Sequence, residues 1–198
     1  MNSSEHFREY GYVKISDFLS QEITSLTRKY MDLSLFSGHM VISDNSVIAG
    51  QPEQYAAMLS ESLLLFFQPN IESVVGYALL PTYSFWRIYE HGAVLREHVD
   101  RDSCEISVSV TIAAEPRNTD WRLWVRGIDR KNKSLSLRPG DCVIYLGNKV
   151  PHWRNKFKGG VQYQMFLHYI RQDNNQNPLA YDGRNTCALA LFKRSMEK

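Results

Sequence analysis

Residues 104–115 read Cys-Glu-Ile-Ser-Val-Ser-Val-Thr-Ile-Ala-Ala-Glu. Ile106, Val108, Val110 and Ile112 alternate with Ser107, Ser109 and Thr111, the period-two signature of a β-strand. Similar text extends on both sides. Upstream, residues 83–89 alternate and residues 95–99 form a short run. Downstream come runs at 123–125, 135–137, 142–146, 150–154 and 162–170, with Arg138-Pro139-Gly140-Asp141 as a tight turn. About eight short strands between regularly spaced turn signals predict an all-β sandwich or jelly roll.

Residues before Pro81 read differently. Residues 10–15 alternate weakly and predict a short strand. From 16 to 35, Leu19, Ile23, Leu26, Tyr30 and Leu33 recur at spacings of three and four, which predicts a helix with these residues on one face. Ser20 is the expected N-cap, and Gly38 closes the segment. A second helix is expected from about Pro52, a residue suited to a first helical turn, with Tyr55, Met58, Leu59, Leu63 and Phe66 on one side. Pro69 should interrupt it, with a shorter helix following to Gly76. The chain therefore reads as one domain over 1–198: a helical part over 1–80, a jelly-roll core over 81–171 and a polar tail over 172–198. The end of that tail, residues 187–192, fits a short helix or a strand. The expected fold class is mostly β, a double-stranded β-helix (jelly roll) with helices packed on the major sheet.

A length of 198 residues fits a single domain, and 43% hydrophobic with 22% charged residues fits a folded globular one. The net charge of +2 is too small to argue for nucleic-acid or lipid partners, and none is expected. The densest basic run, residues 126–133, contains Asp129 and reads as a solvated turn. The longest apolar run, residues 63–67, falls far short of the roughly 20 residues that cross a membrane. Three cysteines without a Cys-x-x-Cys pair exclude a Cys-rich zinc site and fit reduced thiols. The first residues, MNSSEHFREYGYVK, have no basic segment followed by an apolar one, so no signal peptide is expected and the expected location is cytoplasmic.

The segment Tyr89-Glu-His-Gly-Ala-Val-Leu-Arg-Glu-His98-Val-Asp100 carries the chemistry. Residues two apart on a strand share a face, so His98 and Asp100 converge. A His and a carboxylate in that relation supply two ligands of a facial triad, the non-haem Fe(II) site that leaves three coordination positions open. An isolated His-x-Asp is common at strand ends. Here a second histidine, His152, follows the Arg138–Asp141 turn and a strand. A jelly roll can lay that later segment against the first, which makes His152 the expected third ligand.

Tyr89 and Gly92, His98 and Asp100, Pro139-Gly140-Asp141, His152 and His168-Tyr169 together resemble the Fe(II)/2-oxoglutarate-dependent oxygenases, in particular their small prolyl-4-hydroxylase-like branch. The resemblance covers roughly residues 81–171 and the helical layout before them. It implies that His98, Asp100 and His152 are the catalytic centre and bind Fe(II). It implies 2-oxoglutarate as cosubstrate, chelating the metal through its C1 carboxylate and keto oxygen. O2 would then be consumed, succinate and CO2 released and an unactivated C–H bond hydroxylated. Related halogenases carry a small residue in place of the carboxylate, so Asp100 favours hydroxylation or desaturation. Tyr89 would donate a hydrogen bond to 2-oxoglutarate. One departure stands out: the family usually has an Arg or Lys about ten residues after the distal histidine, where a guanidinium fork suits a planar carboxylate. Residues 160–164 read Gly-Val-Gln-Tyr-Gln. The replacements on offer are Arg154, two residues after His152, then Arg87, two before Tyr89, and Gln164 on the last strand.

A different class of protein competes with this reading: a cupin-like jelly-roll module that holds a metal or ligand without redox turnover. Cupin sites carry a His-x-His pair on one strand, whereas the residues two away from His98 are Arg96 and Asp100. A degenerate scaffold that only binds a partner has no need of three converging ligands. His168 is expected on the pocket floor, not on the metal, and Cys104 and Cys142 in the core. Loops 37–50 and 118–133 are the expected variable walls. Their mixed aromatic and polar text, with no appended substrate-recognition domain, favours a small-molecule substrate such as a free amino acid or a natural-product intermediate over a protein side chain.

Overall fold

The alternating text becomes two antiparallel sheets in a computed structural model that describes residues 1–44, 47–172 and 178–184. In chain order the elements are α1 (Ser3–Tyr10), β1 (Tyr12–Ile15), α2 (Gln21–Phe36), β2 (Val41–Ile42), β3 (Pro52–Tyr55), α3 (Met58–Val75), β4 (Leu79–Glu90), β5 (Leu95–His98), β6 (Ile106–Glu115), β7 (Leu123–Arg126), β8 (Asn132–Leu135), β9 (Cys142–Leu146), β10 (His152–Arg154) and β11 (Val161–Arg171). The major sheet has the order β1-β9-β6-β11-β4-β3-β2, and the minor sheet β5-β10-β7-β8. This is the jelly-roll architecture that the alternation predicts.

Chemistry rather than burial separates the two faces of the major sheet, since β6 is buried on both sides. Ile106, Val108, Val110 and Ile112 of β6 join Met165 and Leu167 of β11 and Trp86 and Ile88 of β4 in one core with Met31, Leu64, Phe67, Ile71 and Val75 of the helices. Each such side chain contributes roughly 1.5–3 kcal/mol on burial. The helices are thus held chiefly by this outer-face contact. The inner face is polar and aromatic, and cross-strand register sets it out in rows. Tyr83, His168, Ser107 and Tyr145 stand side by side on β4, β11, β6 and β9. The next row is Tyr55, Phe85, Phe166 and Ser109. Glu53, Arg87, Gln164 and Thr111 form the third, and Tyr89 pairs with Gln162 beyond them.

The helical part departs from expectation in several places. Helix α1 has only Phe7 buried, so apolar periodicity does not announce it. Its signature is a capping box: Asn2 Oδ1 accepts from Glu5 N at 2.8 Å, and Glu5 Oε2 accepts from Asn2 N at 2.9 Å. Helix α2 starts as expected, with Ser20 Oγ accepting from Ile23 N at 3.3 Å. Its buried side is rotated, however: Leu26 and Leu33 are 58% and 66% exposed, while Thr24, Thr27, Met31 and Ser34 are buried. Small hydroxyl side chains let the helix lie close to β6, which turns the two leucines to solvent.

Pro52 opens a strand rather than a helix. Residues 52–55 pair with β4 as Glu53↔Arg87, Gln54↔Trp86 and Tyr55↔Phe85, close to the sheet edge where a missing N–H is tolerated. Ala56, at φ 51°, turns the chain into α3. Pro69 does not interrupt that helix. It lies on the exposed side, where water can serve the carbonyl that the ring leaves unpaired. The buried face is Leu63, Leu64, Phe67, Ile71 and Val75, while Met58 and Phe66 face solvent. The basic run at 126–133 forms the turn between β7 and β8, as expected. The expected element at 187–192 lies outside the described residues. Among the described residues no helix is long and apolar enough to cross a membrane.

Candidate metal centre

Strand register brings the two histidines together. His98 ends β5, His152 begins β10, and the pair stand opposite each other with ring centroids 4.2 Å apart. Asp100 follows β5 by two residues, held by its N–H to the Gly147 carbonyl at 2.9 Å. Asp100 Oδ1 lies 3.6 Å from His98 Nε2 and 3.5 Å from His152 Nε2. The tautomers follow from the other ring nitrogens. His98 Nδ1 lies 2.8 Å from the Arg96 carbonyl and His152 Nδ1 3.0 Å from the Val150 carbonyl. A carbonyl can only accept, so both Nδ1 atoms carry hydrogen and both Nε2 atoms present lone pairs. Two lone pairs and a carboxylate oxygen aimed at one point repel one another, and a cation relieves that repulsion. Burial lowers the pKa of His152 despite the nearby carboxylate, which keeps the ring available as a neutral ligand.

The carboxylate is fixed from behind. Ser107 Oγ donates to Asp100 Oδ2 at 2.7 Å, leaving Oδ1 free to face the histidines. Gly147 makes room for this arrangement. A Cβ there would come within 2.2 Å of the Cys104 carbonyl, 2.4 Å of Ser107 Oγ and 2.7 Å of Asp100 Oδ2. Gly147→Ala must therefore displace the Cys104 carbonyl together with Ser107 and Asp100, all of which its Cβ would meet under 3 Å. The expected result is a loss of divalent-metal affinity of at least tenfold, in line with removal of an outer-shell support, measured by calorimetric titration with Co(II).

The triad opens onto a cavity of about 400 Å³ between the sheets, also lined by Arg87, Tyr89, Tyr145 and Arg154. Arg154, two residues after His152 on β10, is 1% exposed. Its Nη1 donates to the Trp121 carbonyl, its guanidinium lies 4.8 Å from the Trp121 ring, and its Nη2 is buried without a partner. No carboxylate pairs with it among the described residues. Burial pushes its pKa down to about 10, which leaves it charged at neutral pH. Arg87 differs. Its Nε and Nη2 lie 3.1 and 2.5 Å from Glu53 Oε2, so its charge is already met by a neighbouring strand. Gln164 is likewise engaged, donating to Ser109 Oγ at 2.8 Å and accepting from Gln162 Nε2 at 3.1 Å. Tyr89 is buried edge-on against Trp121, with its hydroxyl beside Arg87.

Ser107, Tyr145, Gly147 and Glu53 escape the sequence reading. Ser107 was legible as the polar side of the β6 alternation; the others depend on register across distant strands. The expected loop walls contribute Val47 and Leu123 to the cavity and Trp121 to its support. A second set of ligand-type atoms, from Asp100, Cys104 and His168, also lies within 4.8 Å. Burial raises the Cys104 pKa to about 12, and its sulfur lies 3.1 Å from the Tyr83 hydroxyl. It is a thiol at neutral pH, so the His98, Asp100 and His152 set is the better centre.

No protein-family model matches the chain, and no curated protein matches it in sequence. Solved structures do match in shape. A prolyl-4-hydroxylase from Pseudomonas putida superposes with a TM-score of 0.69 at 16% identity, over 86% of this chain and 97% of that one. The non-haem α-ketoglutarate-dependent epimerase SnoN of nogalamycin biosynthesis gives 0.71 at 12% identity, over 89% and 86%. HygX from Streptomyces hygroscopicus, solved with nickel, 2-oxoglutarate and hygromycin B, gives 0.67 at 11% identity, over 87% and 88%. The fold is thus the double-stranded β-helix of these oxygenases, as the motif resemblance implies.

Proposed function

We propose that the chain is an Fe(II)- and 2-oxoglutarate-dependent dioxygenase that oxidises a C–H bond of a small molecule, with residues 1–198 acting as one domain. The observation that carries this reading is Arg154: a buried, charged guanidinium with an unpartnered Nη2, on a side chain that lines the same cavity as the three converging ligands. Such a group is costly to bury without an anion. A dicarboxylate that reaches from the triad to Arg154 meets both needs. HygX has been crystallised with nickel and 2-oxoglutarate, and SnoN with Fe3+ and α-ketoglutarate.

On this reading His98, Asp100 and His152 hold the metal. Arg154 receives the C5 carboxylate, with Tyr89 and Gln164 beside it, and Arg87 shapes the wall through Glu53. Fe(II) with 2-oxoglutarate would supply O2 activation and oxidative decarboxylation to succinate and CO2. The chain's own work is orientation and the exclusion of water: strand-borne ligands, a carboxylate pinned by Ser107 and an aromatic inner face. The modest cavity favours a free amino acid or a natural-product intermediate over a protein side chain as substrate. Free, buried Cys104 and Cys142 fit a reducing compartment, the cytoplasm.

The direct test is an anaerobic titration of metal-free protein with Fe(II) and 2-oxoglutarate, followed by visible absorption. Bidentate keto-acid chelation should produce a weak charge-transfer band. Fe(II) binding with no band at saturating 2-oxoglutarate would overturn the proposal in favour of a non-redox, cupin-like module.

A further inference from the structure

His168 stands in the inner-face row between Tyr83 and Ser107 and lines the cavity. Its surroundings decide which ring nitrogen carries hydrogen. Ser107 Oγ has one hydrogen to share among Asp100 Oδ2 at 2.7 Å, His168 Nδ1 at 3.0 Å, the Cys104 carbonyl at 3.3 Å and the neighbouring Tyr145 hydroxyl. The carboxylate is both the nearest and the charged acceptor, so it takes that hydrogen. Only lone pairs of Oγ remain for His168, so Nδ1 is the donor. The ring is buried and has no ion-pair partner among the described residues, so it is neutral and its Nε2 bears a lone pair. No hydrogen bond to Nε2 exists among the described residues. Nor is Nε2 among the buried side-chain atoms left without a partner, so it is open to the cavity.

The wall around this acceptor is aromatic. Tyr83 packs against His168 at 4.6 Å between centroids, and Phe166 lies parallel to it at 6.3 Å. Phe85 neighbours Phe166 at 6.1 Å, and Tyr55 stacks on Tyr83 at 5.1 Å. The Tyr83 and Tyr55 hydroxyls are occupied by Cys104 and Asp182. The open lone pair is therefore an acceptor set in an aromatic wall, with the Arg101 guanidinium beyond it, 4.5 Å from the Tyr83 ring, and a donor must meet it when water leaves.

Resting on the oxygenase reading of this cavity, we infer that His168 Nε2 is the hydrogen-bond acceptor for the substrate. The substrate class is a small molecule with a flat or compact apolar body and an O–H or N–H donor at one edge: an alcohol, phenol or amide. A group that only accepts at that edge, such as an ether, would meet a lone pair and be disfavoured there. His168 is a positioning residue for the C–H bond to be oxidised, and Ser107 ties its tautomer to the orientation of Asp100.

Phenol and anisole are suitable probes, being rings of similar size of which only phenol donates. Binding to nitrogen-15-labelled protein is followed by NMR, first without metal and then with Zn(II). In the wild-type protein the imidazole spectrum should show hydrogen on Nδ1 of His168, and phenol should shift its Nε2 resonance. Phenol's advantage over anisole should fall by about tenfold in His168→Phe, the weight of one neutral hydrogen bond. An unchanged ratio in that variant would overturn the inference. So would hydrogen on Nε2 in the wild-type spectrum, a result that needs no variant. Failure of the protein to take Zn(II) strikes the metal-centre reading instead, because the metal-free phenol–anisole ratio judges His168 by itself.

Discussion

Asp100→Ala should abolish succinate formation and lower divalent-metal affinity by at least roughly a hundredfold, read by Co(II) calorimetry and by a 2-oxoglutarate turnover assay. The size follows from what remains. His98 and His152 are oriented through Nδ1 by backbone carbonyls, and Asp100 Oδ1, at 3.6 and 3.5 Å from their Nε2 atoms, is the anion of the set. Removing a group that merely supports a metal ligand costs 10–100-fold, so losing the ligand itself must exceed that. Ser107→Ala supplies the internal scale. It removes the 2.7 Å bond that orients the carboxylate and should cost about tenfold. Metal affinity in Asp100→Ala within tenfold of the wild type would remove this triad as the metal site. Equal losses in the two variants would show that Asp100 acts through structure and not as a ligand.

The contrast between Asp100 and Glu53 shows what a sequence can reveal about such a site. His98 and Asp100 lie two residues apart on one backbone, so period-two geometry alone brings them together. The strands were legible for the same reason: in β6, unlike faces alternate without a break from Ile106 to Ile112. Glu53 meets Arg87 only because residues 52–55 join the sheet as β3, and Pro52 argued for a helix there. That one misplaced element hid Glu53, the partner that already meets the Arg87 charge. Leu26 and Leu33 show a different limit. Their spacing fits a buried stripe as well as Thr24, Thr27, Met31 and Ser34 do. What decides between the stripes is how closely α2 can approach β6, and small side chains win that contest. Hydrophobic periodicity carries no term for approach distance. Tyr145 belongs to the inner row through cross-strand register, which no local pattern encodes.

Arg154→Met should raise the 2-oxoglutarate requirement by roughly 30- to 900-fold, the equivalent of about 2–4 kcal/mol for a buried, hydrogen-bonded charge pair, while leaving the metal-free protein as stable as the wild type or more so. The two halves of the expectation have one cause. In the absence of an anion, Arg154 is a buried charge with a backbone carbonyl on Nη1, the Trp121 ring at 4.8 Å and nothing on Nη2. Desolvation opposes it, and an apolar side chain of similar volume removes that cost. An arginine that served the fold through an ion pair would behave in the opposite way, because its loss would leave a partly buried carboxylate unpaired, a larger cost than the Trp121 carbonyl that Arg154 leaves. Arg87 is that control. Removing it strands Glu53, so Arg87→Met should lower the thermal midpoint and change the 2-oxoglutarate requirement little. Arg154→Lys keeps the charge but loses the planar fork, and should fall between wild type and Arg154→Met. Thermal melts of the metal-free proteins and 2-oxoglutarate titrations of the Fe(II)-loaded ones separate these cases. A destabilised Arg154→Met with an unaltered 2-oxoglutarate requirement would assign Arg154 to the fold and leave the cavity without its anion anchor.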